Sequence, residues 1–381
     1  MKPTRLLAVL TALVLVLAAC NGEAQEEPTT TAADGATTTA ADGATTTAGE
    51  EPGEEEPADG ESLLDEVAAR GSLVCGVNDS VPGFGFVGDD GTFSGFDIEF
   101  CRAVAAAVLG DSEAVEFRVL TAAERFTALQ TGEIDVLIRN TTYTATRDGT
   151  EGATFLTTTY YDGQGMMVRA DSGFASIDDM ANTDICVLQG TTTELNITTL
   201  SQARGLDMQN VTFEDNSALQ AAFEAGQCDG WTSDRSQLAG VRSQFPEGPE
   251  ALTIFDEVIS KEPLGPVTRD GDDDWSDAVD WAVIATIQAE EFGIDSTNVD
   301  DFMETDDPEI ARFLGLPDPT EGTVFDPGLG LATDFAQQVI RQVGNYAEIY
   351  ERNVGADGLG LERGFNALWT DGGLHYPPPY R

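Results

Sequence analysis

Ile134-Asp135-Val136-Leu137-Ile138-Arg139-Asn140-Thr141-Thr142-Tyr143-Thr144-Ala145-Thr146-Arg147 is the stretch on which the fold turns. Its first five residues form a short apolar run, the pattern of a buried strand, and polar residues follow without a break. Upstream, residues 72–77 read as a first apolar strand and residues 79–91, rich in Gly and Pro, as a loop. Residues 96–109 carry Ile98, Cys101, Val104, Ala105 and Val108 on one helical face, with Asp97 near the start, where a carboxylate favours the helix N-terminus. Residues 115–120 read as a strand and 122–131 as a helix. This β-α-β-α-β order predicts the α/β class: a mostly parallel sheet with helices on both faces. Ligands of such sheets bind beyond the carboxyl ends of the strands, which directs attention to residues 140–147. A second cycle follows, with strands at 185–188, 211–213 and 228–233 and helices at 192–202 and 218–225. Helices are then expected at 274–291, 307–314 and 332–350.

Three groups near these strand ends could carry chemistry. Arg147 offers a planar guanidinium, which grips a carboxylate through two parallel bonds, and the hydroxyls and amide of 140–146 can fill the remaining lone pairs. Gln189-Gly190-Thr191-Thr192-Thr193-Glu194 places hydroxyls at a helix N-terminus, where backbone N–H groups attract anions. Asp234 follows the last strand of the second cycle and can pair with an ammonium. Together they describe a site for an α-amino acid. Singly each has a plainer use: Arg147 can form a surface pair with Asp148, and Thr191 or Thr192 can simply cap the helix.

Charge and composition narrow the class further. The 381 residues contain 68 acids, 19 bases and one His, a formal net charge of −49. Such a surface repels nucleic acid and anionic bilayers, so no nucleic-acid partner is expected. The lone imidazole, His375, leaves no His-rich metal site, and the acids lack the loop spacing of a calcium site; neither a metal nor a cofactor is expected. Only Lys2 and Lys261 are lysines, so nearly all positive charge is Arg, a balance suited to salt-rich surroundings or simply to solubility outside the cell.

The first 20 residues are an address. A basic start, an apolar run at 6–19 and the ending Leu17-Ala18-Ala19-Cys20 resemble a lipoprotein signal, in which Cys20 becomes the acylated N-terminus. Residues 21–61 hold an eight-residue Thr/Ala/Asp/Gly repeat and twelve acids without a base, and are expected to be a disordered acidic tether. Residues 62–381 therefore keep 56 acids against 17 bases. With Cys20 lipidated, Cys75, Cys101, Cys186 and Cys228 remain, an even number in an oxidising compartment. Three connectivities are possible; pairing Cys75 with Cys101 and Cys186 with Cys228 keeps each bridge inside one cycle and leaves a cleft free to open. Four buried free thiols are the alternative.

From about residue 63 to the C-terminus the chain resembles the solute-binding proteins of polar amino-acid ABC importers (family 3), most closely the general L-amino-acid-binding subgroup. The segments carrying this are Cys75-Gly76-Val77-Asn78, Gly95-Phe96-Asp97, Glu124 to Gln130, Arg139-Asn140-Thr141-Thr142, Tyr160 to Gly165, Gln189 to Leu195, Ile259 to Pro266, Gln342 to Tyr346 and Leu368 to Pro379. The resemblance implies a two-lobe, hinge-type periplasmic-binding-protein fold (type II), with lobe 1 at 62–168 plus 263–381 and lobe 2 at 169–262. It implies a monomeric, lipid-anchored, extracytoplasmic receptor that delivers an L-amino acid to ABC importer permease subunits. Position by position, Arg147 would hold the α-carboxylate with help from Asn140, Thr142 and Thr192, and Asp234 would hold the α-ammonium. Arg125 and Asn78 match positions near the ligand side chain in relatives that bind acidic amino acids, a lean toward Glu, Asp or their amides. An ion pair with Glu124 or Glu133 is the alternative use of Arg125. An enzyme on the same scaffold, such as a dehydratase, or a chemosensory binding protein are the competing functions.

Overall fold

The computed structural model describes residues 62–381. The expected signal segment, Cys20 and the tether lie outside the described residues. Two lobes, each built on a mixed sheet, are joined by a pair of crossing strands. In the first lobe the strands run in the order Val115–Val119, Leu73–Val77, Val136–Leu137, Val267–Arg269, Ala153–Phe155; the first three are parallel and the last two antiparallel. The second lobe orders Gln209–Phe213, Asp184–Leu188, Gly230–Asp234, Tyr160–Arg169 and Leu252–Ile254, again three parallel strands followed by antiparallel ones. The parallel halves are the βα cycles expected from the apolar runs. The expected sheets were mixed and mostly parallel; the antiparallel strands were not individually located, because they are short or polar and return from distant parts of the chain.

Packing follows the alternation of side chains along each strand. On Tyr160–Arg169, Met166 and Val168 join one buried cluster of the second lobe while Met167 joins another with Cys186 and Trp231, so both sheet faces are covered. The first lobe's main core gathers Phe96 and Phe100 of the helix Phe96–Leu109, Trp275 of Asp273–Phe292, and Tyr346 and Tyr350. Disulfides join Cys75 to Cys101 and Cys186 to Cys228, one within each lobe.

The crossing consists of Tyr160–Arg169 and Lys261–Leu264, antiparallel, with Leu264 opposite Tyr160, Pro263 opposite Tyr161, Glu262 opposite Asp162 and Lys261 opposite Gly163. From Gln164 onward the long strand already pairs with Gly230–Asp234. The outgoing crossing thus precedes the boundary expected at 168, and the return strand Lys261–Leu264 spans the junction expected between 262 and 263.

Three local expectations change. Residues 79–91 are not all loop: Ser80–Val81 and Gly85–Val87 form a small antiparallel sheet with Phe93–Ser94. The single helix expected at 332–350 is two, Phe335–Gln342 and Tyr346–Asn353, because Gly344 takes a φ of 102° and Asn345 and Glu348 form a capping box that starts the second. The polar run after residues 134–138 is partly helical: Arg147 lies in a short helix, Ala145–Thr150, which Thr144 opens by accepting from the Arg147 N–H at 3.2 Å.

Candidate functional site

The carboxyl ends of the first lobe's parallel strands face the helix N-termini of the second lobe across a narrow cavity. Six of the seven side chains expected to meet a ligand line it: Asn78, Arg125, Asn140 and Thr142 from one lobe, Thr192 and Asp234 from the other. Asn78 directly follows Leu73–Val77, and Asn140 lies just beyond Val136–Leu137. Asn140 has a φ of 30°, a left-handed conformation that Asn tolerates better than most residues. Asp97 fixes it there, accepting from the Asn140 N–H at 2.7 Å. Burial pushes the Asp97 carboxyl up to about 6, against the pull of that N–H and of Arg139.

The lobes touch across the cavity. The Asn140 amide accepts from Asn78 Nδ2 at 2.6 Å and donates from its own Nδ2 to Asp234 Oδ2 at 3.0 Å, while the hydroxyls of Thr142 and Thr192 stand 3.4 Å apart. Asp234 ends its strand and precedes the helix Arg235–Ser243. Burial first, then the negative charges of Asp162 and Glu262, raise its carboxyl well above the usual range, with Asn140 and Arg125 pulling back. In the opposing wall the helix Thr192–Arg204 starts with Thr191 as its cap, accepting from the Glu194 N–H, so the plain capping role falls to Thr191. Thr192 is left free to bond elsewhere, and its hydroxyl donates to Glu262 Oε2 at 2.8 Å.

The two arginines are held differently. Arg125, 3% exposed, opens the helix Arg125–Gln130, and its Nε is without a hydrogen-bond partner among the described residues. The ordinary ion pair is not made: Glu124 accepts from Thr121 at 2.8 Å and Glu133 pairs with Arg118. Arg147 is also buried and does not itself line the cavity, but its Nη1 donates at 2.9 Å to the carbonyl of Thr142, which does; the surface pair with Asp148 is not made. Both guanidiniums lie over the ring of Phe126, at 5.3 and 5.5 Å. Burial lowers both pKa values; Glu262 and Asp234 oppose this at Arg147, and Asp234 and Glu151 oppose it at Arg125.

Several residues of the site were not expected. Arg139, buried and donating to the Leu120 carbonyl at 2.8 Å, lines the cavity; it follows the same strand as Asn140 and carried as clear a signal as Arg147. Gln237, on the Asp234 helix, accepts from Ser233 at 3.0 Å and also lines the cavity. Asp162 and Glu262, both on the crossing strands, carried no signal of their own.

The family model of bacterial extracellular solute-binding proteins, family 3, matches residues 73–294. The chain belongs to this family. Among relatives of this solute-binding protein, the general L-amino acid-binding periplasmic protein AapJ of Rhizobium johnstonii is 47% identical over 84% of this chain and 93% of its own length. The glutamate/glutamine/aspartate/asparagine-binding protein BztA of Rhodobacter capsulatus is 45% identical over 84% of this chain and 94% of its own. An ABC transporter/periplasmic binding protein from Brucella ovis, solved with glutathione bound, superposes with a TM-score of 0.81 at 44% identity, covering 84% of this chain and all of that one. Beyond the matched span, the binding protein's C-terminal segment braces the crossing: Asn366 accepts from the Tyr161 N–H at 2.7 Å, and its amide donates to the Tyr161 carbonyl at 3.2 Å.

Proposed function

We propose that this binding protein is a lipid-anchored extracytoplasmic receptor that closes on an L-amino acid and hands it to an ABC importer, with a preference for glutamate, aspartate and their amides. The observation that carries the preference is Arg125: a buried guanidinium with an unsatisfied Nε, facing the cavity that Asn140, Thr142, Thr192 and Asp234 share. A buried cation of that kind gains most from an anionic or amide side chain. In this reading Arg147 and the N-terminus of Thr192–Arg204 take the α-carboxylate, Asp234 takes the α-ammonium, and Asn78 sits beside the ligand side chain. The names of the relatives AapJ and BztA support an amino-acid cargo and, for BztA, this side-chain class. A thermal-shift screen against the twenty amino acids and glutathione tests it, since a ligand that binds only the folded state raises the melting point. The four named amino acids should give the largest shifts. Largest shifts from basic or branched apolar amino acids, or none at all, would overturn the preference. Mass spectrometry of the membrane-extracted N-terminus tests acylation of Cys20 separately.

A further inference from the structure

Asp162 and Glu262 face each other in register on the two crossing strands, and each grips one of the helices whose N-termini form the ligand site. Asp162 Oδ2 accepts from the Ser236 N–H at 3.2 Å and from its hydroxyl, and so holds the start of Arg235–Ser243, next to Asp234. Glu262 accepts from Thr192 at 2.8 Å and from Asn196 Nδ2 at 3.0 Å, and so holds the first turns of Thr192–Arg204. Both strands thus place a carboxylate in the hinge, and with Asp234 they make a cluster of three acids, Glu262 and Asp234 buried and Asp162 half-buried. Like charges directly opposite on paired strands repel, so each carboxylate makes a negative charge on its neighbours more costly.

We infer that Asp162 and Glu262 are positioning residues that, with Asp234, make capture of the amino acid a proton-releasing step: the cluster shares a proton until the ligand's α-ammonium reaches Asp234, and gives it up then. The inference rests on the amino-acid reading above.

The surroundings agree with it. Burial raises the Asp162 carboxyl to about 6, with the Glu262 charge adding to the effect and Ser236 and the Gly163 N–H opposing it. Around Asp162 stand the phenols of Tyr160 and Tyr350 and, lining the same groove, Arg235, Arg242, Asp256 and Glu362. Glu262 faces Arg147, and Asp234 faces Arg125. The chain's one imidazole, His375, is pushed down to about 3 by burial and by Arg363, so it stays neutral where this cluster titrates. The sign is fixed by the raised folded-state value. The stability that Asp162 contributes is complete below 3.8 and is gone once the pH has risen through about 6. Affinity moves the other way, because protons compete with the ammonium: it falls as pH drops through the cluster's range, by up to about tenfold per pH unit for one proton.

The test is calorimetry of L-glutamine and L-glutamate binding to the mature protein near pH 6, in phosphate, MES and imidazole buffers, whose ionisation enthalpies differ. Wild type should show a buffer-dependent heat equal to about one proton released per ligand. Asp162→Asn and Glu262→Gln keep the side chain's shape and one acceptor oxygen while removing a charge, and each should cut that count by about half or more. A purely structural role would weaken binding at every pH and leave the count unchanged. Asp97, the other carboxyl raised to about 6, sits behind Asn140 and is intact in both variants. A wild-type heat independent of buffer overturns the proposal, as does a count unchanged in both variants. Absence of heat with either amino acid at any pH overturns the receptor reading, and this proposal with it.

Discussion

Arg125 and Arg147 share the ring of Phe126, yet their partners set them apart. Arg147 gives one bond to the Thr142 carbonyl and faces Glu262, so it is fixed before any ligand arrives; Arg125 has an unsatisfied Nε and faces the cavity. Removing Arg147 should therefore weaken every amino acid alike, by about 2–5 kcal/mol if it pairs with the α-carboxylate that all of them share. Removing Arg125 should fall on glutamate and aspartate more than on alanine or serine. Titrating Arg147→Ala and Arg125→Ala with one acidic and one small amino acid checks both; equal losses in the two variants would remove the division of labour. Much of this was legible in the sequence, because a polar run after a buried strand can only emerge at the sheet's carboxyl edge. Asp162 and Glu262 were not, since their significance lies in a cross-strand register between residues about a hundred positions apart, and neither flanking segment has a clean period of two.

Among the elements, the two parallel cycles were readable from their apolar runs, and the helix expected at 96–109 lies at Phe96–Leu109. What failed were segments whose structure depends on partners: the short antiparallel strands, and the helix divided where Gly344 and Asn345 end one run and cap the next. Each disulfide ties elements inside one lobe, with Cys75 on the first strand bound to Cys101 on the following helix, and Cys186 bound to Cys228 just before Gly230–Asp234. Sequence separations of 26 and 42 give loop-closure effects on the order of 3 to 4 kcal/mol each. Paired Cys→Ala variants of either bridge should lose about that much stability in urea unfolding. Affinity measured where the variants remain folded should stay within a few-fold of wild type, because neither bridge crosses the cleft. A large affinity loss at full folding would show that a bridge shapes the site as well as its lobe.

At the scale of the whole molecule, function depends on how closely the lobes approach, and one residue records that distance. Gly240, inside Arg235–Ser243 of the second lobe, lies against Pro82 of the first: a Cβ at 240 would come within 2.5 Å of the Pro82 carbonyl oxygen. Asn140 with Asp234 and Thr142 with Thr192 close over the cavity in the same arrangement. In a lone helix, Ala is better than Gly by about 0.5–1 kcal/mol, so nothing in the second lobe by itself disfavours Gly240→Ala. The clash exists only when the lobes meet. The variant should therefore melt at or above the wild-type temperature without ligand, yet bind its amino acid more weakly by about 1–3 kcal/mol, the usual penalty for forcing an extra carbon into a packed contact. Small-angle scattering should show the shrinkage that accompanies saturation in wild type and less of it in Gly240→Ala. Undiminished affinity with full compaction would mean that the helix can slide past Pro82, and that the grip on the amino acid does not depend on this contact.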